Sequence, residues 1–158
     1  ALGDALASGL MERRSFSETD YAETHPAGQI GRNLLFTVRD VMHHPSKIAK
    51  VSPKTPIRKL VIEMTKFPLG AACVMEKDKL IGIITDGDLR RMLENNSDIS
   101  SLKASDIMCT TPKKISSDTL ASFALTILEQ NNISQLVVID NEKYIGIIHI
   151  HDILKEGI

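Results

Sequence analysis

The residues of this chain whose types and spacing are suited to chemistry lie in one short run, Gly82-Ile83-Ile84-Thr85-Asp86-Gly87-Asp88-Leu89. Its apolar first half reads as the end of a strand, and the remainder as the start of a helix. At such a junction the Thr85 hydroxyl and the free N–H groups of the helix N-terminus make a favourable place for an anionic phosphate. Asp88 follows within the first turn, where its carboxylate can accept hydrogen bonds from two adjacent hydroxyls, as on a ribose. A phosphate donor and a diol acceptor one turn apart describe a nucleotide site. The same two residues are also common helix caps, so a purely structural reading stands beside the binding one.

The elements that must position this run come from an internal repeat. LIGIITDGDLRRML (Leu80 to Leu93) has a counterpart in YIGIIHIHDILKEG (Tyr144 to Gly157), and aligning Ile81 with Ile145 sets the offset at 64 (from 81 to 145). The same offset pairs Val51 with Ile115, Thr55 with Thr119, Met75 with Ile139 and Asp88 with Asp152. Upstream, VRDVM (Val38 to Met42) matches ASDIM (Ala104 to Met108) with two further residues between the copies. Each copy reads as a short strand (Ile48 to Val51; Lys114 to Ser116), then a helix with one apolar face. Thr55 with Pro56 is expected to start the first of these helices, and Asp118 or Thr119 to cap the second. Ile57, Leu60, Val61 and Met64 form one stripe, and Leu120, Phe123, Ala124, Ile127 and Leu128 the other. Two strands joined by a charged tight turn follow, AACVM–EKDK–LIGII and QLVVI–DNEK–YIGII. A last helix begins near Asp86 and near Ile150. The expected fold is therefore α+β and sandwich-like: β-α-β-β-α twice, packed about a pseudo-two-fold axis because one copy cannot cover its own sheet.

Composition narrows the function classes. With 158 residues, 42% hydrophobic and 25% charged, the chain reads as an ordinary globular protein. A net charge of -1 with dispersed Lys and Arg argues against a nucleic-acid surface. No apolar run approaches the roughly 20 residues needed to cross a bilayer, and no signal peptide is evident. Cys73 and Cys109 are isolated, which fits a reduced cytoplasmic setting. His43-His44 and His149-x-His151-Asp152 are read as loop and helix-start residues, with no metal expected. Arg90, Arg91, Lys47 and Lys50 are secondary candidates for phosphate contact, and the Met residues read as core filler.

These repeats resemble a pair of CBS (cystathionine β-synthase) domains, on the Gly-h-h-Thr-x-x-Asp pattern carried by Gly82, Thr85 and Asp88. The resemblance implies ligand clefts between the repeats, with Thr85 on phosphate and Asp88 on ribose. In the second copy Gly146 and Asp152 match but His149 replaces Thr; a neutral imidazole is a weaker phosphate partner than a hydroxyl, and a protonated His149 could still pair with an anion there. Residues 1–36 stand outside the repeats (37–96 and 97–158). Ala1 to Arg13 is amphipathic, Ser17 to Glu23 reads as a short helix, and His25-Pro26-Ala27-Gly28-Gln29-Ile30-Gly31-Arg32 as a turn. This stretch resembles the helical end of a sugar isomerase (SIS) domain as found in the arabinose 5-phosphate isomerase family, so the sequence is expected to be part of a longer protein. That likeness implies an enzyme interconverting ribulose 5-phosphate and arabinose 5-phosphate for lipopolysaccharide sugar synthesis, with His25 an acid/base group. The remaining catalytic residues would lie upstream, so no activity is expected of this chain alone. No cofactor is expected; AMP, ATP or a cytidine-linked sugar acid is the expected regulator. A CBS dimer within a tetrameric parent is the expected assembly, and a ligand-free dimerisation module the alternative.

Overall fold

The computed structural model describes residues 35–95 and 98–158; the expected helical tail, with His25, lies outside the described residues. In chain order the elements are α1 (Val38–Val41), a 3-10 turn (Pro45–Lys47), β1 (Ala49–Val51), α2 (Ile57–Thr65), β2 (Ala71–Glu76), β3 (Lys79–Thr85) and α3 (Asp86–Asn95). The second copy repeats them as α4 (Ala104–Ile107), β4 (Lys114–Ser116), α5 (Ala121–Gln130), β5 (Gln135–Asp140), β6 (Lys143–His149) and α6 (Ile150–Lys155). Each copy contains the expected β-α-β-β-α, preceded by a short helix that the sequence reading did not anticipate.

Two three-stranded sheets result, ordered β1-β2-β3 and β4-β5-β6. In each, the first pair is parallel because a helix crosses between them, and the second is an antiparallel hairpin. The central strands β2 and β5 are buried along their first four residues, which explains their unbroken apolar character. Both hairpins turn through two residues of positive φ, Lys77-Asp78 and Asn141-Glu142, the geometry whose twist suits adjoining strands. The two sheets meet through Ile48, Leu69, Ala71, Cys73, Ile83, Val137 and Ile147, an apolar layer drawn from both copies.

The short lead-in helices are exchanged. Val38 and Met42 of the first copy sit in the core of the second with Leu128, Leu136 and Ile153. Ala104 and Met108 of the second sit with Leu60, Ile84 and Met92 of the first. This exchange alters how α2 and α5 begin. Neither Thr55 nor Asp118 or Thr119 caps a helix; the N-cap positions are Pro56 and Leu120, without side-chain caps. Their first amides are satisfied by the exchanged segments instead, Ile57 N–H donating to the Leu102 carbonyl and Ala121 N–H to that of Phe36. In return Ala104 N–H donates to Thr55 O and Val38 N–H to Thr119 O. Thr55 turns its hydroxyl back to accept from Ser52 N–H.

Candidate functional site

A cleft of about 580 Å³ opens where β3 runs into α3. Thr85, Asp88 and Arg91 line it from the first copy, Gln135 and His149 from the second, and Cys109 and Lys113 from the segment crossing between them. The structure thus brings Thr85, Asp88 and His149 into one cleft. Arg90, Lys47 and Lys50 do not line it; Lys113 is the lysine that does. Cys109, Lys113 and Gln135 carry no motif, and only the packing of the copies reveals them.

Thr85 and Asp88 form a capping pair. The Asp88 Oδ2 accepts from Thr85 N–H at 2.8 Å and from the Thr85 hydroxyl at 2.7 Å. Its Oδ1 accepts from Arg91 Nη2 at 2.6 Å. Thr37 and Asp40 at the start of α1 repeat the first two bonds at 2.8 and 2.7 Å, so this geometry by itself is a structural device. What distinguishes Asp88 is its setting: its side chain is 14% exposed and faces the cleft. A carboxylate has about four acceptor positions, of which three are used, so a vicinal diol is accommodated once the exposed Arg91 lets go. Of the first amides of α3, Asp86 N–H donates to Gly70 O, and Asp88 N–H approaches the Thr85 hydroxyl at 3.4 Å. Gly87 N–H is left, among the described residues, as an open donor at the positive end of the helix dipole.

The second copy departs from this arrangement. Asp152 does not reach back to residue 149; its Oδ2 pairs with His43 Nε2 at 2.8 Å. His43 aligns with Cys109 of the other copy, so an imidazole occupies the position that is open beside Asp88. His149 Nδ1 accepts from His151 N–H at 3.1 Å, capping α6. An accepting Nδ1 is unprotonated, and burial holds the His149 pKa below the ordinary histidine value, with His151 and His43 acting in the same direction against Asp152. The electrostatics thus oppose a protonated imidazole at this position. His43, His149 and Asp152 are neighbours, yet no group of three or more His, Cys, Asp or Glu among the described residues is arranged to hold a metal ion.

The motif glycines have a separate cause. Ile83 and Cys109 exchange two backbone hydrogen bonds, as do Ile147 and His43, so each crossing segment lies directly on the strand beside the glycine. A Cβ at Gly82 would stand 2.9 Å from both Cys109 O and Met108 Sδ, and one at Gly146 would collide with the His43 carbonyl oxygen. Glycine is required here by close backbone approach.

Comparison with known proteins agrees with this architecture. Curated relatives named arabinose 5-phosphate isomerase KdsD are similar over nearly the whole chain. That of Yersinia pestis is 37% identical over 158 residues, 99% of this chain and 48% of that protein. That of Pseudomonas aeruginosa is 41% identical over 159 residues, 99% of this chain and 49% of that protein. The chain spans about half the length of these relatives. Among solved structures, the CBS domain of a bacterial CNNM/CorC family Mg2+ transporter in complex with ATP superposes with a TM-score of 0.68 at 15% identity, covering 81% of this chain and 91% of that one. CBSX2 in complex with AMP gives 0.66 at 21%, covering 77% and 96%. At these identities the likeness speaks for the fold. Residues 38–95 and 104–158 both match the CBS domain, and the chain belongs to that family as a tandem pair.

Proposed function

We propose that this pair is the ligand-sensing regulatory module of an arabinose 5-phosphate isomerase, and that it binds one nucleotide or nucleotide-sugar in the Thr85–Asp88 cleft. The observation that carries the reading is the Asp88 carboxylate, 14% exposed, facing a cleft that also holds Lys113 and a free Gly87 amide. Asp88 would take the ribose hydroxyls. The phosphate would meet Gly87 N–H, Lys113 and an Arg91 released from Asp88. His149 would offer its Nε2–H as a neutral donor. The equivalent position in the second copy would take no ligand while His43 occupies Asp152.

The isomerase assignment rests on the KdsD relatives, and the ligand class on the AMP- and ATP-bound CBS neighbours. AMP, ATP and a cytidine-linked sugar acid, the activated end product of the pathway, are the candidate ligands. Ligand bound across the two copies would favour one packing of them and so bias an attached cytoplasmic isomerase domain, in which His25 would act as acid/base. Exposed apolar side chains on α2 and α3 (Ile62, Leu93) and on α5 and α6 (Phe123, Leu154) support self-association as a CBS dimer, within a tetrameric parent. The same faces favour the second reading, a dimerisation module that needs no ligand.

Calorimetric titration with AMP, ATP, CMP and the cytidine-linked sugar acid separates the two. One site per chain supports the sensor, and His43→Ala should raise the stoichiometry to two by freeing Asp152. No heat from any of the four at millimolar concentration, with an intact dimer, would leave the dimerisation module.

A further inference from the structure

A second cleft, of about 660 Å³, lies at the hairpin end of the paired sheets, away from Thr85 and Asp88. Its rim carries four ammonium groups, from Lys77 and Lys79 of the first hairpin, Lys143 of the second and Lys114 at the start of β4. Only two carboxylates, Asp78 and Glu142, share that rim, so the cleft is locally cationic on a chain whose net charge is -1. None of the four lysines makes an ion pair or side-chain hydrogen bond among the described residues, whereas Lys66, Arg39 and Arg91 are all paired. Lys77 stands at φ 48, where glycine or asparagine is easier to place, so the needs of the turn do not account for a lysine there.

Beneath the rim the floor is apolar, formed by the half-buried Leu80, Ile139 and Tyr144. A bare anion such as phosphate would use the rim and waste the floor. A purely apolar molecule would do the reverse. The volume falls in the range of small-molecule sites and is concave, unlike a macromolecular face. We infer that this cleft is a second ligand site, for a small organic anion with a flat apolar body, separate from the Thr85–Asp88 cleft.

Pyridoxal 5′-phosphate, an aromatic ring with a phosphate and an amine-reactive aldehyde, is a suitable probe. The full 158-residue chain is labelled at limiting reagent, trapped with borohydride and mapped by peptide mass spectrometry. Lys77, Lys79, Lys114 and Lys143 should carry about tenfold more label than the exposed Lys54, Lys59 and Lys155. 1-Naphthyl phosphate should protect them better than inorganic phosphate at equal concentration, because only the former covers the floor. The pattern should persist in Asp88→Asn, which disables the other cleft. Even labelling of all exposed lysines, label concentrated on Lys113, or equal protection by the two phosphates would overturn the inference.

Discussion

Asp88→Asn separates capping from ligand binding, because the two roles predict losses of different size in different measurements. The substitution removes the charge and turns an amide N–H₂ toward either Thr85 or Arg91, both of which are donors at this position. Loss of a helix-start partner costs about 0.5–2 kcal/mol. The Arg91 pair adds little, since Arg91 is 67% exposed and screened by water. An expected loss of about 1–2 kcal/mol lowers the Tm by roughly 2–8 °C for a chain of this length. In binding, a hydrogen bond to a charged group is worth about 1.5–3 kcal/mol, so losing one from the diol weakens AMP roughly tenfold to 150-fold. Asp40→Asn is the internal control: the same cap, the same distances, no cleft. It should lower Tm similarly and leave the Kd untouched. Calorimetry at 25 °C, where both variants remain folded, reads the Kd; thermal denaturation reads the cap. If Asp88→Asn loses Tm like Asp40→Asn but binds AMP within about twofold of the parent chain, Asp88 is a cap and nothing more.

Three further outcomes test the geometry. Gly146→Ala would force the His43 carbonyl away and disrupt the pair of backbone bonds that His43 and Ile147 exchange, at about 2–4 kcal/mol. Gly82→Ala should cost less, because its Cβ would stand 2.9 Å from Cys109 O, a milder approach than the collision at Gly146, and urea denaturation should rank them so. Native chain should show one reactive thiol to an aromatic disulfide reagent: Cys109 is exposed, while burial pushes the Cys73 thiol up to about 11. Nucleotide should slow that reaction, since Cys109 lines the cleft. Acid should destabilise the chain through His149. Its folded pKa lies below its unfolded value, so the unfolded state binds the extra proton and stability falls as pH drops below about 6.5. His149→Asn, which still caps α6 and does not titrate, should lose less Tm between pH 7.5 and pH 5 than the parent; an equal loss would clear His149 of the effect.

The repeat, the order of elements and the position of the Thr85–Asp88 pair were legible in the sequence, because each rests on short-range regularities. Apolar β-rich runs such as AACVM and LIGII specify strands, the Ile57–Leu60–Val61–Met64 spacing specifies one helix face, of which Val61 stays exposed, and a charged pair such as Lys77-Asp78 between strands specifies a hairpin. Where the sequence reading failed locally, at Thr55 and at Thr119, a partner about fifty or eighty residues away had taken over the capping. Only the tertiary structure decided that the lead-in helices exchange and that Gly82 and Gly146 answer to a crossing backbone. It also set His149 in the first cleft and closed Asp152 with His43. These contacts join residues such as 43 and 152, whose meeting depends on how two sheets pack face to face; no local periodicity encodes that.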